Sequence, residues 1–371
     1  MGKRFFALGI VASRQLLLRW RDVEIGTTGN DMKQRWLIGL VLLASMQAME
    51  AQSFKFLKSI PVGGEGGWDY LSIDAKARKL YVTHATNIVI VDLTSDKVVG
   101  EIGDTPGVHG FALAPELSRG FSSNGAEARV SAVDLKTLMT IAKIQTGENP
   151  DAILFEPTRS EVYAFNGRGK SATVIDAKSN QVVATVPLSG KPEFAAVDEL
   201  GERVFCNIED KNEVAVIDMK THAVSATWPL APGEEPTGMA FDLVHHRLFI
   251  GCHNKLMTML DSDTGKVVAK TTIGAGVDAC AFDDATQLAF ASCGDGTIAI
   301  AKEEALDKLA VVQTLTTERG ARTMALDPAT HRIYTCAAQI APDTGPSPPP
   351  GERRRPNYVP GTFHVLVYGT E

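Results

Sequence analysis

Apolar and polar positions alternate with a period of two over short runs, and the runs recur in sets of four. The first run of a set ends in an acidic residue. The second carries a central aromatic residue. The third, rich in Val and Ile, ends in Asp, and the fourth, rich in Val, leads into Gly and often Pro. The first two runs read LSIDAKARKLYVTH at 71–84, ILFEPTRSEVYAFN at 153–166, AAVDELGERVFCN at 195–207, MAFDLVHHRLFIGC at 239–252 and MALDPATHRIYTC at 324–336. The last two read NIVIVDLTSDKVVGEIG, SATVIDAKSNQVVATVPLSG, EVAVIDMKTHAVSATWPL and LMTMLDSDTGKVVAKTTIG. Alternation over short runs bounded by turn residues predicts half-buried strands. Four such strands repeating about every 42 residues predict an all-β fold, a β-propeller whose blades surround a central channel.

With the strands of a blade lettered A to D from the channel outward, A strands fall near 70–74, 110–114, 152–156, 194–198, 238–242, 279–283 and 323–327. C strands end near Asp92, Asp134, Asp176, Asp218, Asp261, Ala301 and Tyr368. Both sets predict seven blades, yet only six D strands follow them, the last at 310–316. The missing one lies at the other end of the repeats. FKFLKSIPVGGEGG at 54–67 has the D-strand pattern and enters the first A strand through the same Gly-rich loop. Residues 54–62 are therefore expected to pair with 362–368 and complete the last blade, which removes an open strand edge. The repeats make residues 52–371 a single domain. The Asp ending each C strand is read as a cap of the following turn. The sixth repeat departs, reading TIAIAKEEALDKL, and a short helical turn is expected there between its C and D strands.

These repeats, LYVTH with IVIVDLTSDKVV, VYAFN with ATVIDAKSNQVV and VFCN with VAVIDMKTHAV, resemble the YVTN-type, or YncE-like, β-propeller family over residues 54–371. The resemblance implies an exported binding propeller and supplies no catalytic motif. The recurring Gly-His and Trp-Asp signatures of WD repeats are absent, as are the paired glycines of kelch repeats.

Residues 1–51 stand apart. The stretch 33–51, KQRWLIGLVLLASMQAMEA, has a basic start at Lys33 and Arg35, an apolar core from Trp36 to Ala44, and small residues Ala48 and Ala51 for cleavage. That is the build of a secretory signal, short for a membrane span, although an uncleaved anchor is the rival reading. Met32 directly precedes it, so translation starting at Met32 and a mature chain beginning near Gln52 are expected. The destination is then the periplasm or the exterior.

The net charge of −7 gives no reason to expect general nucleic-acid affinity. The five cysteines, Cys206, Cys252, Cys280, Cys293 and Cys336, are odd in number, and four of them lie at or near second-strand ends of successive repeats, farther apart than a disulfide spans, which favours buried thiols. No Cys-x-x-Cys-His occurs, so covalent haem is not indicated.

Chemistry in a propeller concentrates at its two axial mouths. Aligning the repeats places Asp69, His109, Asp151, Glu193, Thr237, Asp278 and Arg322 just before successive A strands, in steps of 40 to 44 residues. These seven are expected to ring one mouth. A second tier at the B-strand ends and the loops after them contains His84, Asn124, Asn166, Asn207, His253, Cys293 and Cys336. Oxygen and nitrogen donors of this type suit a divalent cation, a cationic ligand or a hydroxylated one. They are equally compatible with a solvated polar rim. On the same face, the Pro-rich stretch 339–361 of the last blade carries Arg353, Arg354 and Arg355, readable as a solvated loop, a lid or a partner contact.

His222, His245, His246, His331 and His364 fall in turns or within a strand and are read as packed or solvated. No Gly-x-Ser-x-Gly elbow, phosphate loop or His-Glu-x-x-His occurs. Three functions follow. The leading one is a monomeric exported propeller that binds a small ligand or a protein partner at the mouth, without chemistry of its own. The others are a metal-dependent hydrolase of the lactonase or esterase kind using the mouth residues, and an accessory subunit of an exported redox system.

Overall fold

In a computed structural model that describes residues 53–342 and 356–370, the repeats form seven four-stranded antiparallel sheets. Blade 1 is typical, with strands Trp68–Asp74, Lys79–His84, Asn87–Asp92 and Lys97–Ile102 paired in sequence order. The seventh sheet has the order Lys55–Pro61, His364–Gly369, Arg332–Ala337 and Met324–Asp327. The first strand of the described chain thus closes the last blade. Phe56 faces Tyr368 and Ile60 faces Val365 across this pair. Ile60 is buried at 1% exposure, and Phe54 packs edge-on against Phe290 of blade 6 at 5.3 Å. The side chain of Gln313 grips the backbone of Phe54 from both sides, accepting from its N–H at 3.0 Å and donating to its carbonyl at 2.7 Å. The expected signal segment and the Arg353–Arg355 cluster lie outside the described residues.

The core lies between blades. Each B strand contributes a fully buried aromatic ring, namely Tyr81, Phe121, Tyr163, Phe205, Phe249, Phe290 and Tyr334, and the third adds Phe165. Seven apolar clusters fill the seven junctions, from the one joining blades 7 and 1 through Ile60, Trp68, Tyr334 and Val365 to the one joining blades 6 and 7. Polar ties reinforce the junctions near the channel. Thr83 Oγ1 donates to the carbonyls of Tyr70 in its own blade and His109 in the next. Ser123 makes the equivalent bonds to Gly110 and Asp151, and Ser292 to Ala279 and Arg322. These bonds satisfy buried carbonyls and at the same time fix the backbone of the mouth residues.

The turn chemistry follows the repeat. Asp92, Asp134, Asp176, Asp218 and Asp261 each accept two backbone N–H bonds from the turn after the C strand. The five histidines read as structural all sit beside carboxylates: His222 with Glu161, His245 with Asp242, His246 with Asp263, His331 with Asp283 and His364 with Glu318. The five cysteines are free and buried. Blade 6 corrects one expectation. Its C strand Thr297–Ala305 and D strand Lys308–Thr316 run on as a long hairpin, with Ala305 opposite Lys308, where a helical turn was expected. The helix-forming residues of KEEALDK are overridden because strand pairing buries Leu309 and brings Glu303 within 3.6 Å of Arg247.

Candidate functional site

Six of the seven mouth residues lie within the A strands and do not precede them. In blades 1 to 6 each is the second residue of its strand, as Asp69 is in Trp68–Asp74 and Glu193 in Pro192–Asp198. In each of these blades the A–B ladder shifts register there, as between Trp68 and Leu71 or Pro192 and Ala195. A ladder irregularity re-aims side chains that strict pleating would direct elsewhere. In blade 7 Arg322 lies before the strand Met324–Asp327.

Six of the seven form one electrostatic unit. His109 Nδ1 lies 2.6 Å from Asp69 Oδ2 and 3.6 Å from Asp151 Oδ1, so one imidazole bridges the carboxylates of the blades on either side. Arg322 Nε donates to Asp278 Oδ2 at 2.6 Å. Lys191 Nζ holds both Glu193 and Glu209. Thr237 takes no part, since its hydroxyl is buried and donates to the Val277 carbonyl at 2.9 Å.

Crowding and burial move the titrations together. Burial alone would lower the His109 pKa, but the Asp69 hydrogen bond and the charges of Asp151, Asp69 and Glu193 outweigh it and raise the value to about 9. Burial lifts Asp151 to about 6, with Asp69 and Asp278 adding to the rise and His109 opposing it. Burial and the charge of Asp151 lift Glu193 to about 8 against the pull of Lys191. Asp278 is raised by burial despite Arg322.

Tyr70 was not anticipated. It follows Asp69 in blade 1, yet its ring meets Phe194 of blade 4 at 5.2 Å, so it reaches across the channel. Burial and the carboxylates of Asp278, Glu193, Asp151 and Asp69 push its hydroxyl well above the usual phenol range. Beside this pair lies an apolar channel cavity of about 260 Å³, lined in part by Gly110, Ala112, Ile153 and Phe155. Lys191 was missed too, although it stands two residues before Glu193 in the same loop. Tyr358, bridged in antiparallel fashion to Ile340, packs at a tilt against Trp68 at 4.6 Å and brings the described end of the blade 7 loop toward the rim.

Most of the second tier turns inward instead. His84 is buried and stacked on Phe363 at 4.2 Å, and burial lowers its pKa. Asn124 donates to Glu127 and Ser131 of its own blade, and Asn166 to Ser171 and Thr173. Asn207 donates to the Thr237 carbonyl of the next blade. Cys293 and Cys336 are buried thiols whose pKa values burial raises. Only His253 of this tier stays at the rim, 3.3 Å from Glu235 and within electrostatic reach of Asp278.

No protein-family model matches the chain, and no curated protein matches it. Its fold is similar to a solved structure described as the WD40 repeats of RRP9, at TM-score 0.70 and 9% identity, covering 86% of this chain and 98% of that one. A structure described as U3-55K gives TM-score 0.68 and 10% identity over 85% and 99% of the two chains. At such identity the likeness establishes the seven-bladed propeller architecture and nothing about the site.

Proposed function

We propose that this chain is an exported binding propeller of the YVTN type that receives a small ligand or a protein partner at the mouth ringed by Asp69, His109, Asp151, Glu193, Asp278 and Arg322. One observation carries the reading. Six charged side chains from six blades meet at one end of the channel, and three of the carboxylates are held above their ordinary pKa. Keeping acids buried and crowded costs folding free energy, and a bound partner can return it. The repeat pattern supports the YVTN assignment, and the segment 33–51 supports export. A hydrolytic role is favoured by a single feature, the meeting of two carboxylates and an imidazole, and depends on the ion discussed below. The test is photo-cross-linking from a reactive residue placed at Glu148, in an exposed mouth loop, or at Leu200, 82% exposed in an A–B turn of the opposite face. Adducts recovered from position 148 and not from 200 are expected. Adducts from 200 alone would contradict the reading.

A further inference from the structure

The four ring carboxylates differ in what neutralises them. Asp278 is paired with Arg322, and Glu193 with Lys191, both through fixed cations. Asp69 and Asp151 share only the imidazole of His109. One ligand atom from each of these three residues lies within 4.8 Å of the other two. Metal–ligand distances of ~2.0–2.2 Å ask for donor atoms roughly 3–4 Å apart, so small side-chain adjustments suffice. A second feature points into the same space. Tyr70 is 8% exposed, and its ring crosses the channel to Phe194. It lies among the carboxylates of Asp69, Asp151, Glu193 and Asp278.

We propose that Asp69, His109 and Asp151 bind one divalent transition-metal ion of the zinc class at the axial mouth, with open coordination positions toward the channel. The proposal rests on the mouth being the binding face and deepens that reading. The ion takes the place of the Nδ1 proton that His109 now directs at Asp69, and that proton leaves to solvent. The charge then balances, since two carboxylates and a neutral imidazole surround a dication. One nitrogen and two oxygens favour zinc, cobalt or nickel over calcium and magnesium, which prefer all-oxygen shells. Three protein ligands leave room for water or a ligand group, as in sites where the metal meets substrate.

The test uses the full chain, stripped with a chelator, loaded with zinc sulfate alone and dialysed. About one zinc per chain is expected by elemental analysis, and no retained calcium or magnesium after equivalent loading. Asp69→Asn with Asp151→Asn should weaken zinc binding more than tenfold, whereas Glu193→Gln should change it less than threefold. Should the double variant not fold, pulsed electron paramagnetic resonance of the copper(II)-loaded wild type decides the matter, with coupling to a single imidazole expected. Zinc lost on dialysis, zinc retained equally by the folded double variant, or no imidazole coupling would overturn the proposal. Coupling to two imidazoles would also overturn it. Mouth cross-links that persist in zinc-free protein would leave the binding face standing while the metal site fails.

Discussion

At the scale of the residue, the repeat is held by short polar side chains that do the same task in successive blades. Asp176 is representative. It accepts N–H bonds from Lys178 at 3.1 Å and Ser179 at 2.6 Å, and the Ser179 hydroxyl at 2.7 Å. These bonds hold its pKa below the usual carboxylate range, the Ser179 amide foremost. The turn then ends at Asn180 with φ of 58°, a left-handed position that Asn tolerates better than most residues. Asp176→Ala removes the acceptor and should lower stability by about 1 kcal/mol, read as a shift of the urea midpoint at constant slope. An unmoved midpoint would mean the backbone alone holds the turn. This role was legible in the sequence because the Asp recurs at the same place in five repeats. The inward turn of Asn124 and Asn166 was not, because their partners Ser131, Ser171 and Thr173 lie on the adjacent strand, where only the observed register brings them within reach.

At the scale of the element, the decisive strand is the first one. Lys55–Pro61 is exposed on one side, but Ile60 and the adjoining Phe54 are buried, and the strand covers what would be the free edge of His364–Gly369. Removing residues 52–62 opens the ring at the junction of blades 6, 7 and 1. Phe54→Ala alone should cost about 3–5 kcal/mol, and the deletion more, with loss of cooperative unfolding. Equilibrium denaturation of both variants beside wild type checks this, and an unchanged melting temperature for the deletion would refute the closure. The closure could be read from the sequence by counting strands, since six D strands cannot complete seven blades. The long hairpin of blade 6 could not. Its residues favour helix locally, and only the neighbouring Arg247 and the buried position of Leu309 make the strands continue.

At the scale of the molecule, the seven blades bring to one point residues spread over more than 250 positions of sequence. The repeat spacing predicted which residues share the mouth. It did not predict their pairing, the intrusion of Lys191, or the reach of Tyr70 to Phe194, because side chains crossing a channel leave no mark on the period. The assembled ring has a consequence for pH. The folded-state values of Asp151, Glu193 and His109, about 6, 8 and 9, all lie above their unfolded values of about 3.9, 4.3 and 6.5. The folded chain therefore binds more protons than the unfolded one across this window. The stability these groups contribute is complete below their unfolded values and is lost as pH rises from about 4 through 9. The turn aspartates act in the opposite sense, since their lowered values contribute stability above about 4 that is lost as pH falls. The central claim, that the mouth residues act as one site, is tested most directly by the nuclear magnetic resonance titration of the His109 imidazole in metal-free protein. A midpoint near 9, falling toward the ordinary value in Asp69→Asn, is the result expected. A midpoint near 6.5 in the wild type, indifferent to Asp69→Asn, would contradict it.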